Sequence, residues 1–261
     1  MPASVQFVPG SGFQCGQNRL STAHRGLLLD KYMGVKPEKG KAQSNRASKK
    51  DSLSRLPQWR ALCEPNLTVP CYKLAFDRWS RYTRSLSSCV RFNGRVRGRL
   101  ALGLGIESVQ EIGCRLHATY GTPVIPGSSL KGALCSGLSA MPAYKDEAVA
   151  LFGTPNLAGV LEVPDAWWIP DNRSSGLAPD VITVHHQGYY SGTHPPDDRE
   201  SPVPNHFLTV TGSFYFVMRV RSSGQGWDVF VKKLAQHLLA TEGIGAKRSA
   251  GYGRFDLFAD A

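Results

Sequence analysis

Two short stretches hold the residue types best suited to grip an anion. The first is TPVIPGSSLKG, residues 122–132. Pro126, Gly127, Ser128 and Ser129 form a helix-start signal, and a helix beginning there leaves its first backbone N–H groups without intrahelical acceptors. Those donors, the positive end of the dipole, the hydroxyls of Ser128 and Ser129, and the ammonium of Lys131 together suit a phosphate. Ordinary N-capping by a serine accounts for the same residues. The second stretch is GIGAKRSAGYGR, residues 243–254. Gly243, Gly245, Gly251 and Gly253 permit positive φ and let another backbone come close. Lys247, Arg248 and Arg254 add cations, and Tyr252 adds a ring for stacking. Arg248 follows Lys247 where a Walker loop needs Ser or Thr, and it stands where a dinucleotide fingerprint needs a third glycine. A plain glycine-rich turn into an edge strand is the alternative; the concentration of cations favours anion binding.

Groups suited to catalysis are fewer. Metal-free RNA cleavage needs a base near the 2′-hydroxyl, an acid near the leaving oxygen, and a cation for the transition state. His117 precedes the first motif and is placed to reach a bound phosphate, but a lone histidine is more often structural or an RNA contact. His185 and His186 are neighbours on an expected strand, so they face opposite sides and cannot act as a pair. Asp165, Asp171, Asp180, Asp197 and Asp198 show no spacing that dictates a metal cluster. The six cysteines contain no C-x-x-C pair, which argues against a zinc site and for free thiols in a reducing compartment. No catalytic residue, metal or cofactor is expected.

The chain of 261 residues can bury a real core, and 41% apolar content argues against whole-chain disorder. Its formal charge is +11, which favours an anionic partner without choosing among nucleic acid, acidic protein and membrane surface. Residues 19–55 carry ten basic against three acidic side chains, a net of +7. The later part of that stretch is poor in large apolar residues and reads as an arm that orders on a partner, or as a solubilising linker. No apolar run approaches the ~20 residues of a membrane-spanning helix. The opening MPASVQFVPGSGF lacks the basic start and apolar block of a secretory signal, so the chain reads as cytoplasmic.

The elements that must position the two motifs follow from periodicity. Residues 71–90 read as a helix with Ala75, Trp79, Tyr82 and Leu86 on one stripe and Arg78, Arg81 and Arg84 elsewhere. Residues 95–106 alternate as a strand. A helix from Ser128 or Ser129 carries Leu130, Leu134 and Leu138 on one face, and strands follow near residues 159–167 and 180–186. Residues 205–221 are the strongest β run, residues 227–241 a second helix closed by Gly243, and the chain ends in a last strand. From about residue 95 the order is β-α-β-β-α-β, the α+β ferredoxin-like pattern of two helices on one face of an antiparallel sheet. Residues 1–90 then form a basic arm and helices packed on, or inserted into, a core of residues 91–261. The aromatic and proline-rich stretch at about 165–205 reads as an insertion with a β-hairpin or loop, although at least one of Trp167 and Trp168 belongs in the core.

IPGSSLKG together with GIGAKRSAGYGRF resembles the RAMP superfamily of CRISPR-associated RNA-binding proteins. GLLLDKY (residues 26–32), LHATYGTPVIPGSSLKG (116–132), DVITVH (180–185) and SPVPNHFLTV (201–210) follow in order and are similar to the sixth-numbered RAMP subunits of the type III-B, or Cmr, RNA-targeting effector complex. The resemblance implies a ferredoxin-like (RRM-type) core and a non-catalytic backbone subunit. Such a subunit holds the guide CRISPR RNA toward its 3′ end beside target RNA and packs against neighbouring RAMP and small helical subunits. Ser128, Ser129, Lys131 and the loop at residues 243–253 would hold the guide backbone, with His117 nearby, and the 165–205 insertion would be a thumb wedged into the duplex or a docking surface. Two other readings stay open: a metal-independent endoribonuclease that processes CRISPR RNA, and a protein-only scaffold.

Overall fold

The computed structural model describes residues 24–27, 29, 62–63, 70–106, 113–171, 174–184, 187–193, 195, 203–221 and 226–259. The basic arm at residues 36–55, together with His185, His186 and the 194–200 loop apart from Pro195, lies outside them.

Helix α1 (Pro70–Ser85) leads into strand β1 (Cys89–Val96). A short strand β2 (Val124–Ile125) precedes α2 (Gly127–Ser139), followed by α3 (Lys145–Phe152) and the small hairpin of β3 (Gly153–Thr154) and β4 (Leu157–Ala158). Then come β5 (Leu161–Glu162), β6 (Ala166–Trp168), β7 (Leu177–Val184), β8 (Val203–Val210), β9 (Ser213–Val220), α4 (Trp227–Thr241) and β10 (Phe255–Phe258). The protein is a mixed helix-and-sheet fold. The main sheet runs β10-β1-β9-β6-β2, with β5 also on β9, and every neighbouring pair is antiparallel.

Alternation along β9 decides what covers each face of this sheet. Phe214, Phe216 and Met218 join Phe92 and the leucines of α2 and α4 in one core: Leu130, Leu134 and Leu138 from α2, Leu234 and Leu238 from α4. Each such leucine contributes about 1.5–3 kcal/mol by leaving water. The two helices approach closely at Gly137, where a Cβ would stand 2.6 Å from a methyl of Leu238. Tyr215 points the other way, and α1 lies there. Thr83 Oγ1 and the Tyr215 hydroxyl are 2.8 Å apart, and Phe76 meets the Tyr215 ring edge-on.

Four expectations need correction. The inward face of α1 is Tyr72, Phe76, Trp79 and Thr83, while Tyr82 is 55% exposed. Tyr72 and Phe76 outcompete Tyr82 because Trp167, Trp168 and Tyr215 offer them an aromatic bed. The first strand is Cys89–Val96, earlier than the alternating 95–106, because Gly98 turns the chain at φ +74°. Within residues 97–106, Leu100 and Ala101 make isolated bridges, to Val210 and Ala246. The run at 205–221 is two strands broken at Gly212, whose φ of +91° and closeness to the Trp168 indole exclude a side chain. β9 stays in the main sheet, whereas β8 pairs with β7 over eight register positions in a separate two-stranded sheet. The strand at 180–184 is therefore no part of the main sheet, while Ala166–Trp168, inside the 165–205 stretch expected as an insertion, is β6 of that sheet.

Candidate nucleic-acid interface

The start of α2 is shaped by a close approach. A Cβ on Gly127 would fall 1.9 Å from the Val163 carbonyl oxygen, so glycine alone lets the helix begin against the β5–β6 connection. The Gly127 N–H donates to Asp165 Oδ1 at 2.7 Å. No side chain at the N-cap position, Pro126, closes the helix. Ser128 and Ser129 are exposed, so neither hydroxyl is consumed by the capping role that sequence allowed them. Lys131 turns back, and its Nζ donates to the Leu161 carbonyl at 2.8 Å.

The glycine-rich loop is clamped at its base and open at its tip. Ile244 is buried; its N–H donates to Gly253 O, Ala246 N–H to Ala101 O, and Gly253 N–H to Arg99 O, at 2.8–2.9 Å. For Gly243, Gly245 and Gly253 the close backbone is the protein's own: added Cβ atoms would meet Gly253 O, Ala101 O and Ile244 O at 2.7, 2.5 and 1.9 Å. Gly251 differs, with φ +90° and open space around it. Between them Lys247 adopts φ +60° and a single 3-10 turn covers Arg248–Ala250, all exposed. The side chains of Lys247 and Arg248 meet no acid among the described residues, and the Arg254 Nε is buried without a hydrogen-bond partner. Tyr252, read as a stacking ring, donates its hydroxyl to Asp180 Oδ2 at 2.9 Å and lies against Phe207 of β8. Burial first, then the Asp180 carboxylate, pushes its phenol above the usual range.

A groove of about 280 Å³ between α2 and α4 is lined by Leu130, Ser136, Gly137 and Met141 on one side and by Leu238, Glu242, Gly243 and Arg248 on the other; Ser128, Ser129 and Lys131 do not line it. His117 sits at the approach to α2, its ring 4.8 Å from Tyr120 and 5.1 Å from Trp167. Its Nδ1 accepts the Thr119 N–H at 3.1 Å, so the neutral ring carries its proton on Nε2. Burial lowers its pKa, with Asp165 opposing and His24 reinforcing that shift. Among the described residues no three His, Cys, Asp or Glu side chains gather to hold a metal ion, and five cysteines are free thiols. No helix among them is long and apolar enough to cross a membrane.

Sequence reasoning missed Asp165 as the group at the α2 start, Asp180 as the partner of Tyr252, and Arg25. The first two contacts join residues 38 and 72 positions apart, and no local spacing announces them. Arg25 stood only as one charge in a basic run, yet it is 98% buried.

A glycine-rich loop closes the second core helix, and its base is clamped on the backbone of residues 99–101. The chain belongs to the RAMP superfamily, which residues 94–256 match. It is homologous to Cmr6: it is 27% identical to the CRISPR system Cmr subunit Cmr6 of Pyrococcus furiosus, over 72% of this chain and 74% of that protein. It is 28% identical to the Cmr6 subunit of Saccharolobus solfataricus, over 71% of this chain and 64% of that one. The same fold occurs in a chain of the cryo-EM structure of the type III-B Cmr-beta bound to cognate target RNA. There the TM-score is 0.66 at 21% identity, covering 87% of this chain and 78% of the other.

Proposed function

We propose that this chain is a non-catalytic, RNA-binding backbone subunit of a type III-B CRISPR (Cmr) effector complex, in the place of its sixth subunit. It holds the guide CRISPR RNA toward its 3′ end, alongside target RNA, and assembles in the cytoplasm with neighbouring RAMP and small helical subunits. The observation that carries this reading, in a homologue of Cmr6, is the glycine-rich loop, clamped at its base and presenting exposed Lys247 and Arg248 with no described acid beside them. These cations with Arg254, and exposed Ser128 and Ser129 at the α2 start, grip the ribose-phosphate chain. Gly243, Gly245 and Gly253 hold the loop in shape, Gly251 leaves its tip open, Tyr252 anchors it to β7, and Lys131 ties the α2 start to β5. His117 is an RNA contact at its edge.

The strand order of the main sheet, with α2 and α4 on one face, supports a ferredoxin-like core over residues 91–261, with residues 1–90 packed on it. The β7–β8 hairpin serves as the thumb, or as a docking surface, within the 165–205 insertion. The non-catalytic reading is supported by the isolation of His117, whose ring packs against Tyr120 and Trp167 with Nδ1 engaged by a backbone amide.

Purification from the native host, with sequencing of any RNA that accompanies the protein, tests the assignment. RNA of uniform length with repeat-derived sequence supports it, and protein free of RNA in a fully assembled complex refutes it. Incubation with repeat-containing RNA in EDTA addresses the enzyme reading: site-specific cuts abolished by His117→Ala would make this chain a nuclease.

A further inference from the structure

Tyr82, a core position on the periodicity of α1, is 55% exposed, and its ring is the outer end of a row. Its centroid lies 5.9 Å from that of Trp79, which is 5.9 Å from Trp167. Trp167 is 5.1 Å from His117, and His117 is 4.8 Å from Tyr120. The row crosses three segments that are distant in the chain: α1, β6 and the connection before β2. Trp79, Trp167, His117 and Tyr120 are each half-buried, so the rings run from the outer side of α1 to the approach to α2. One exposed ring on a protein surface is ordinary, whereas a contiguous set of partly exposed rings marks a binding surface.

Cations flank the row. On α1, Lys73, Arg78, Arg81 and Arg84 are all exposed against one acid, Asp77, a net of +3. Arg78 adjoins Trp79 and Arg81 adjoins Tyr82, and neither arginine enters an ion pair among the described residues. Arg81 Nε donates to the backbone carbonyl of Asp77, one turn back, at 3.3 Å. At the far end Asp165 is the acid that acts on His117, and its Oδ1 accepts the Gly127 N–H. Rings interleaved with cations suit single-stranded nucleic acid: any base stacks on an aromatic face, while the cations follow the phosphates. An acidic protein segment would satisfy the arginines, but the centre of a protein–protein contact is depleted of charge, and here a cation stands beside each of the two outer rings. The position in the fold points the same way. In an RRM-type sheet, bases stack on sheet aromatics. The helices α2 and α4 cover one face of this sheet and α1 covers the other, over Tyr215. The outward rings of α1 therefore stand where a bare sheet would offer its own.

We propose that the row from Tyr82 to His117 is a stacking surface for the bases of single-stranded RNA, with Arg78 and Arg81 following its backbone. This rests on the RNA-binding reading and extends it, from the phosphate grip of the glycine-rich loop to a second surface that holds bases. Stacking uses the face of a ring and no hydrogen-bond pattern, so the surface accepts any base. Tyr82 offers the most exposed ring of the row and carries the largest share of the contact.

Fluorescence anisotropy with the full-length chain and two labelled probes tests this. One probe is a single-stranded RNA of mixed sequence, the other an abasic ribose-phosphate strand of the same length. The wild-type chain should bind the RNA about tenfold more tightly than the abasic strand. Tyr82→Ala should remove most of that difference without weakening the abasic strand, and Tyr82→Phe, which keeps the ring, should preserve it. Circular dichroism checks that both variants fold. Lys247→Ala is the control for phosphate contact and should weaken the two probes alike. Equal binding of both probes by the wild type, or a Tyr82→Ala chain that binds RNA unchanged or loses both probes equally, overturns the stacking surface. If Lys247→Ala still weakens binding in that case, the RNA reading stands without it. A Tyr82→Ala chain that keeps its RNA affinity but loses a protein from the complex purified from the native host also overturns it, and makes this face a protein interface. Absence of RNA binding by the wild-type chain removes both the reading and the surface.

Discussion

Two sets of arginines on this molecule are treated differently. Along the sheet, Arg97 pairs with Asp256 at 2.6 Å, and Arg219 and Arg221 share Glu162. At the glycine-rich end, Lys247 and Arg248 have no described acid beside them, and the Arg254 Nε is buried without a hydrogen bond. Both sets add to the net charge of +11, yet only the second is left wanting a counter-charge. Charge marks a ligand surface when the fold declines to neutralise it; paired charge on a sheet is solvated architecture.

The comparison breaks most visibly through the loop that holds the second set. Gly253→Ala must place a Cβ at φ +80° against Ile244 O, and should destabilise the protein by at least about 2 kcal/mol, read by urea unfolding. A loss below a few tenths would show that the loop is not clamped as described. Tyr252→Phe removes the bond to Asp180 and leaves the ring on Phe207, with an expected cost of about 1 kcal/mol in the same assay. Its effect on stability should vanish in an Asp180→Ala background, where the bond is already gone.

A pH titration sharpens the contrast at the α2 start. Burial holds the His117 pKa below its ordinary 6.5, so the unfolded chain binds more protons than the folded one in that window. Stability should fall as pH drops through 6.5 toward the lower folded value, and His117→Gln should fall less steeply. Equal slopes would contradict the burial argument. The smallest effect belongs to the paired set. Arg219→Ala and Arg221→Ala should each change stability by about 1 kcal/mol or less, because their shared ion pairs are largely exposed.

How much of this was legible in advance varies with the range of the interaction. Helix α4 appears at residues 227–241 as its periodicity demanded, and Leu130, Leu134 and Leu138 face inward, because both signals are local and period 3.6 survives tertiary packing. The stripe of α1 was misjudged, since Tyr82 and Tyr72 are equally apolar on paper and only the aromatic bed of β6 and β9 chooses between them. Gly212 hid a strand boundary because its reason for being glycine is an indole 44 residues away. In the candidate site, the glycines and cations of residues 243–254 were readable as composition. That three of those glycines serve the chain's own backbone, and that Asp165 rather than a serine meets the first α2 amide, depends on contacts across the fold.

The central claim is that the unneutralised cations, and not the paired ones, hold RNA. It is tested most directly by the salt dependence of single-stranded RNA binding in two double variants, Lys247→Ala with Arg254→Ala and Arg219→Ala with Arg221→Ala. Loss of about 1.4 from the slope in the first pair with no change in the second is the predicted result. An unchanged slope in the first pair, or an equal loss in both, would contradict it.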